Sequence, residues 1–114
     1  MFNLAQNEQS CLQSCLDCAS ACEYCATVCL NEEKVAMLVE CVRVCRDCAD
    51  ACSLCVRFLA RHSDMRAEMC RLCATTCELC ADECASHAND HCQQCAASCR
   101  VCIAACRAVA EAEL

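Results

Sequence analysis

The chain contains no glycine, no proline and no tryptophan, and only one tyrosine and two phenylalanines in 114 residues. Tight turns and hairpins lean on Gly and Pro, which supply positive φ or preset a turn dihedral, so strand-turn-strand architecture has little support. Basic residues are also scarce: nine Lys and Arg stand against 16 Asp and Glu, a formal charge of −7. A sequence-independent grip on nucleic acid phosphates needs a basic surface, and an anionic membrane asks for the same. No apolar run is long enough to span a bilayer. The opening MFNLAQNEQS has neither a basic nor an apolar signal region. The expectation is a soluble protein of the reducing cytoplasm, with no nucleic acid and no membrane partner. No Ser–His–Asp set, phosphate loop or paired carboxylates can be argued, so an enzyme is not expected.

The composition is otherwise rich in Ala, Leu, Glu, Gln and Arg, all helix formers, and it holds 21 cysteines. These fall into four ladders. The first is Cys11, Cys15, Cys18, Cys22, Cys25 and Cys29; the second is Cys41, Cys45, Cys48, Cys52 and Cys55. The third is Cys70, Cys73, Cys77, Cys80 and Cys84; the fourth is Cys92, Cys95, Cys99, Cys102 and Cys106. Every step within a ladder is three or four residues, which is one stripe along a helix.

The breaks place the links. Asn31 can stop the first helix; Ser63 or Asp64 can cap the third; Asn89 or Asp90 can cap the fourth. Asp90 with Gln93, and Asn3 with Gln6, have capping-box spacing. The helices are therefore predicted near 4–30, 33–61, 64–86 and 90–110 of a single domain spanning 1–114. Short links make successive helices antiparallel neighbours, giving an all-α, up-down-up-down four-helix bundle. The Cys stripes then face the axis. Leu12, Leu16, Val28, Val42, Val44, Leu54, Val56, Val101 and Ile103 flank them, at helix seams or an oligomer contact.

A disulfide scaffold fits poorly with an odd count, the absence of an export signal and ladders on single helix faces. Cysteine as a small hydrophobe explains one or two positions, but an all-thiol core gives up packing that larger side chains supply. A core of thiolates needs cations, because unpaired buried charge is prohibitive. Soft thiolates suit Cu(I), Zn(II) and Fe–S clusters. Structural zinc wants discrete four-ligand sites, and Fe–S clusters use local Cys groups on loops. Uniform ladders suit a low-coordinate ion bridged by shared thiolates. One monovalent ion per thiolate balances the charge, which gives roughly twenty Cu(I) per chain. A zinc store, a thiol redox buffer and an Fe–S carrier are the rival readings.

With four ladders on the page, the chain resembles the copper storage protein family, cysteine-rich four-helix bundles that hold many Cu(I) ions. The likeness is to its cytosolic branch. The segment CELCADECASHANDHCQQC, residues 77–95, is similar to that branch's junction between third and fourth helices, where histidines sit between ladders. The resemblance implies Cu(I) bound through CxxC and CxxxC pairs, and a homotetramer. A copper chaperone or a small thiol is the expected donor.

The bundle has two unlike ends. One gathers Asn31, Glu32, Glu33, Met37, His87, Asp90 and His91. At the other, continuing each ladder meets Leu4, Leu59 and Val109, an apolar plug. Ions are therefore expected to enter past His87 and His91, which the resemblance also places at the mouth. Met65, Met69 and His62 make the rival entrance.

Overall fold

Each ladder becomes one helix. In the computed structural model, which describes residues 4–112, α1 runs Gln6–Leu30, α2 Val39–Ala60, α3 Arg66–Ala85 and α4 Asp90–Ala112. Among the described residues there is no strand. α1 packs on α2 and α4, and α3 packs on α2 and α4, so chain order runs around a square. The bundle measures 46 × 25 × 18 Å. It is the four-helix bundle expected from the ladders.

All 21 cysteines are buried and free, and form the core. The seams between helices are closed mainly by alanine: Ala26, Ala49, Ala74, Ala81, Ala96 and Ala110 are buried beside the stripe. Small seam residues let the helix axes approach, and that brings short thiol side chains into contact across the axis. Of the flanking residues, Ile103 is buried and Leu12, Val42, Val44 and Val56 pack against the core; Leu16, Leu54 and Val101 are exposed.

The links show where local signals were overruled. α2 does not begin near residue 33. A 3₁₀ turn over Val35–Leu38 precedes it, and the α-helix starts at Val39. The turn drops Leu38, 4% exposed, onto the end of the core, so burial of one leucine sets the start. α3 begins at Arg66, after the Ser63 hydroxyl accepts the Met65 N–H at 3.1 Å. At α4, Asn89 is the acceptor for the Cys92 and Gln93 N–H groups, through its carbonyl. The Asp90–Gln93 box does not form: Gln93 Nε2 instead donates to the carbonyls of Ala85 and His87, at 3.0 and 2.7 Å. Asn3 lies outside the described residues. Glu8 makes the link expected of Gln6, accepting the Ala5 N–H at 3.3 Å.

The α2–α3 turn solves a problem posed by a glycine-free chain. The α2 end closes as a Schellman motif, with Ser63 N–H on the Phe58 carbonyl and His62 N–H on that of Leu59. That motif needs a left-handed residue, usually Gly; here it is His62, at φ 53°. A non-Gly residue there costs on the order of 1 kcal/mol. The His62 imidazole lies 3.8 Å from the Glu8 carboxylate.

Candidate metal centre

Residues at steps of three and four on antiparallel helices meet in layers, one cysteine from each helix. Reading along the axis, the first layer is Cys11, Cys55, Cys70 and Cys106, and the second Cys15, Cys52, Cys73 and Cys102. Within the first, Cys11 Sγ lies 3.6 Å from Cys106 and 4.0 Å from Cys70, which is 3.6 Å from Cys55. In the second, Cys15–Cys102 is 3.6 Å and Cys52–Cys73 is 3.7 Å. The third layer joins Cys18 to Cys48 and Cys99 at 3.8 and 3.7 Å, and Cys48 to Cys77 at 3.4 Å. The fourth joins Cys22 to Cys80 and Cys95 at 3.9 and 3.7 Å, with Cys45 closing the ring at 3.8 Å to both. The fifth joins Cys25 to Cys92 at 3.9 Å, Cys92 to Cys41 at 3.8 Å and Cys41 to Cys84 at 3.4 Å. Cys29 remains, one turn beyond Cys25 at 4.0 Å.

The layers are not separate sites. Cys15 and Cys73 lie within 4.8 Å of Cys55 and Cys106 as well as of Cys52 and Cys102. Steps between layers are as short as steps within them: Cys45–Cys84 is 3.6 Å and Cys80–Cys84 3.8 Å. The sulfurs form one continuous network from Cys11 to Cys29.

The network has two competing electrostatic influences. Burial favours the neutral thiol: it pushes Cys29 up to about 12, helped by Cys41, and raises Cys92. Neighbouring S–H donors favour a thiolate. They pull Cys11 down to about 6, chiefly through Cys106 and Cys15, and Cys45 to about 6, chiefly through Cys22 and Cys25. Burial and neighbouring S–H donors thus act in opposite directions on different thiols of the core.

At the polar end, His91 sits over the outermost thiols. Its Nδ1 lies 3.4 Å from Cys25 Sγ, 3.6 Å from Cys92 and 3.9 Å from Cys29. Its Nε2 is 3.1 Å from Glu32 Oε1. His87 is placed differently, with its Nε2 on Glu83 Oε2 at 2.7 Å. His87 lines an outer depression of about 520 Å³ with Glu32, Glu33, Lys34, Met37 and Leu38. Met37 is 71% exposed. His91 is thus brought to the sulfurs, and His87 to the vestibule outside them.

The opposite end is sealed. Leu59 and Val109 are fully buried and Leu4 is half-buried. Met69 is buried, whereas Met65 and His62 are exposed. The seal has a component that the apolar pattern did not disclose. Glu8, 4% exposed, takes a hydrogen bond from Arg66 Nε at 2.6 Å, tying α1 to the first turn of α3. The signal was available: from Leu4 the three-four rhythm reaches Cys11 through Glu8.

Three comparisons bear on this geometry. The family described as copper storage protein has a model that matches residues 4–111. The cysteine-rich protein YhjQ of Bacillus subtilis (strain 168) is 42% identical over 88 residues, 77% of this chain and 82% of that one. The Cu(I)-bound copper storage protein BsCsp3 superposes with a TM-score of 0.88 at 43% identity, covering 92% of this chain and 99% of its own. A cytosolic copper storage protein of Streptomyces lividans, in a structure with five coppers, superposes with a TM-score of 0.90 at 39% identity, covering 93% of each chain.

Proposed function

Because the chain belongs to the copper storage protein family, we propose that its thiol tube stores and sequesters many Cu(I) ions, with the 21 cysteines as ligands and His91 and His87 serving the uptake end. The observation that carries this is the continuity of the sulfur network. Sulfur spacings of 3.4–4.0 Å do not by themselves exclude zinc, since a tetrahedral ion about 2.3 Å from four sulfurs leaves them about 3.8 Å apart. Charge separates the two. One divalent ion per layer of four thiolates leaves each layer at −2, stacked about 5 Å from the next, with no cation between. One Cu(I) per thiolate leaves every layer neutral, and a thiolate shared between layers bridges two ions.

The experiment is an anaerobic titration of the reduced protein with Cu(I), then Zn(II), against a competing chelator. Roughly twenty Cu(I) per chain are expected. Saturation at about four or five ions would mean isolated tetrahedral sites and would sink the storage reading as stated.

The role is sequestration, not turnover, and the cytoplasm is its expected place; one Streptomyces lividans relative is cytosolic. Among the described residues, no helix is long and apolar enough to cross a membrane. Exposed Leu16, Tyr24, Leu54, Leu72, Leu79 and Val101 supply apolar surface for the homotetramer, which sedimentation of the empty protein tests. In this reading the described residues, 4–112, act as one bundle domain, and a copper chaperone or a small thiol delivers the ion to the vestibule.

A further inference from the structure

Both imidazoles at the open end are held through Nε2 by a carboxylate, but the two pairs differ in kind. Glu83 and His87 stand one turn apart at the end of α3, at i and i+4. Glu32 reaches His91 from the opposite link, 59 residues away in sequence. His91 also has its second nitrogen committed, since Nδ1 faces the thiols of Cys25, Cys92 and Cys29 at 3.4–3.9 Å. The ring is 10% exposed and its carboxylate 36%, so the pair lies at the boundary between core and solvent.

A neutral imidazole carries one N–H and one lone pair, and a carboxylate only accepts. A carboxylate 3.1 Å from Nε2 therefore places the proton on Nε2 and the lone pair on Nδ1. We propose that Glu32 is a positioning residue for copper uptake. It fixes His91 as the Nε2–H tautomer, with the ring turned so that Nδ1 offers a lone pair to an ion arriving at Cys25, Cys29 and Cys92. This rests on the storage reading above. Without Glu32 the proton is free to sit on Nδ1, where it points at the sulfurs and leaves no inward lone pair. The ring also loses the hydrogen bond that ties it to the α1–α2 link. Carboxylates that orient a ligating histidine typically matter 10–100-fold in metal affinity or activity.

The test begins with the unaltered, reduced protein. Long-range ¹H–¹⁵N spectra at about pH 8, above the ordinary imidazole range, distinguish the tautomers of His91. The Nε2–H form is expected, and an Nδ1–H form overturns the proposal without any variant. Glu32→Ala should give mixed tautomers and slow Cu(I) loading from a coloured donor by about tenfold or more, at unchanged final capacity. Glu32→Gln keeps an oxygen acceptor and should restore both the tautomer and most of the rate. Glu23→Gln removes the same charge from an exposed position on α1 outside the vestibule and should change neither. Loss in Glu23→Gln or Glu32→Gln equal to that in Glu32→Ala would assign the effect to bare charge and overturn the positioning role. If Glu32→Ala lowers helicity, the tautomer of the unaltered protein and the Glu32→Gln rate decide. A low final capacity in the unaltered protein would instead be a failure of the storage reading, read independently of any rate.

Discussion

His91 and His87 share one sequence signal and occupy two different positions. Only His91 reaches sulfur: its Nδ1 touches three thiols from α1 and α4. His87 is held to Glu83 and faces the vestibule. Their removal should therefore be unequal. His91→Ala is expected to slow Cu(I) uptake and removal more than His87→Ala, and the double substitution most of all. Capacity should fall by only one or a few ions, as the thiol layers remain. Stopped-flow loading with a coloured Cu(I) donor reads the rates. Met65→Ala with Met69→Ala should leave them unchanged, because Leu59 and Val109 fill the path behind that end. The reverse pattern would place uptake at the wrong end of the tube. The sequence placed both histidines at the mouth, yet it could not divide their roles. That division depends on the side-chain partners, Glu32 across the links and Glu83 one turn back in the last turn of α3.

At the scale of the helices, periodicity was legible and the ends were not. Steps of three and four impose one stripe on any helix, so the ladders fixed the faces and the layer partners followed from antiparallel order. The start of α2 depended on where Leu38 could be buried, a tertiary event that local signals do not encode. Glu8 sat in register with the α1 ladder, but its charge argued for solvent; Arg66 from α3, with the Ala5 N–H, makes its burial tolerable. That pair should be measurable. Glu8→Ala removes a buried carboxylate from Arg66, which keeps the Ser63 carbonyl at 2.8 Å and remains 13% exposed. The expected cost is about 1–3 kcal/mol, below the usual figure for a fully buried pair. Denaturant unfolding of the reduced, empty protein checks it; no change would mean that the ion pair adds nothing beyond the apolar seal. The helices themselves should not require metal. Neutral thiols are tolerable in a core and helix formers dominate the surface, so the empty protein should give a strongly helical circular dichroism spectrum. A coil that folds only on adding copper would refute this.

For the molecule as a whole, a core of titratable groups makes stability depend on pH in a way that loading should abolish. Cys29, raised by burial to about 12 from the ordinary 9.0, keeps its proton longer in the folded state. Its contribution is complete below pH 9 and is lost as pH rises toward 12. Cys11 and Cys45, lowered to about 6 by neighbouring S–H donors, work in the other sense. Their contribution is complete above 9 and is lost as pH falls through 6. The thiol part of the stability of the empty protein should therefore peak near pH 9 and decline on both sides. Copper changes the account, because each thiolate then holds an ion where it held a proton. Loading near neutral pH should release protons, because each protonated thiol gives up its proton on binding copper. The loaded bundle should show no alkaline decline through the pH 9–12 window in which the Cys29 contribution is lost. Denaturant midpoints of empty and loaded protein, measured without oxygen at steps across that window, would show it. If the loaded protein declined as steeply as the empty one, its thiols would still be carrying protons at high pH, and the sulfurs could not be the ligands that hold the copper.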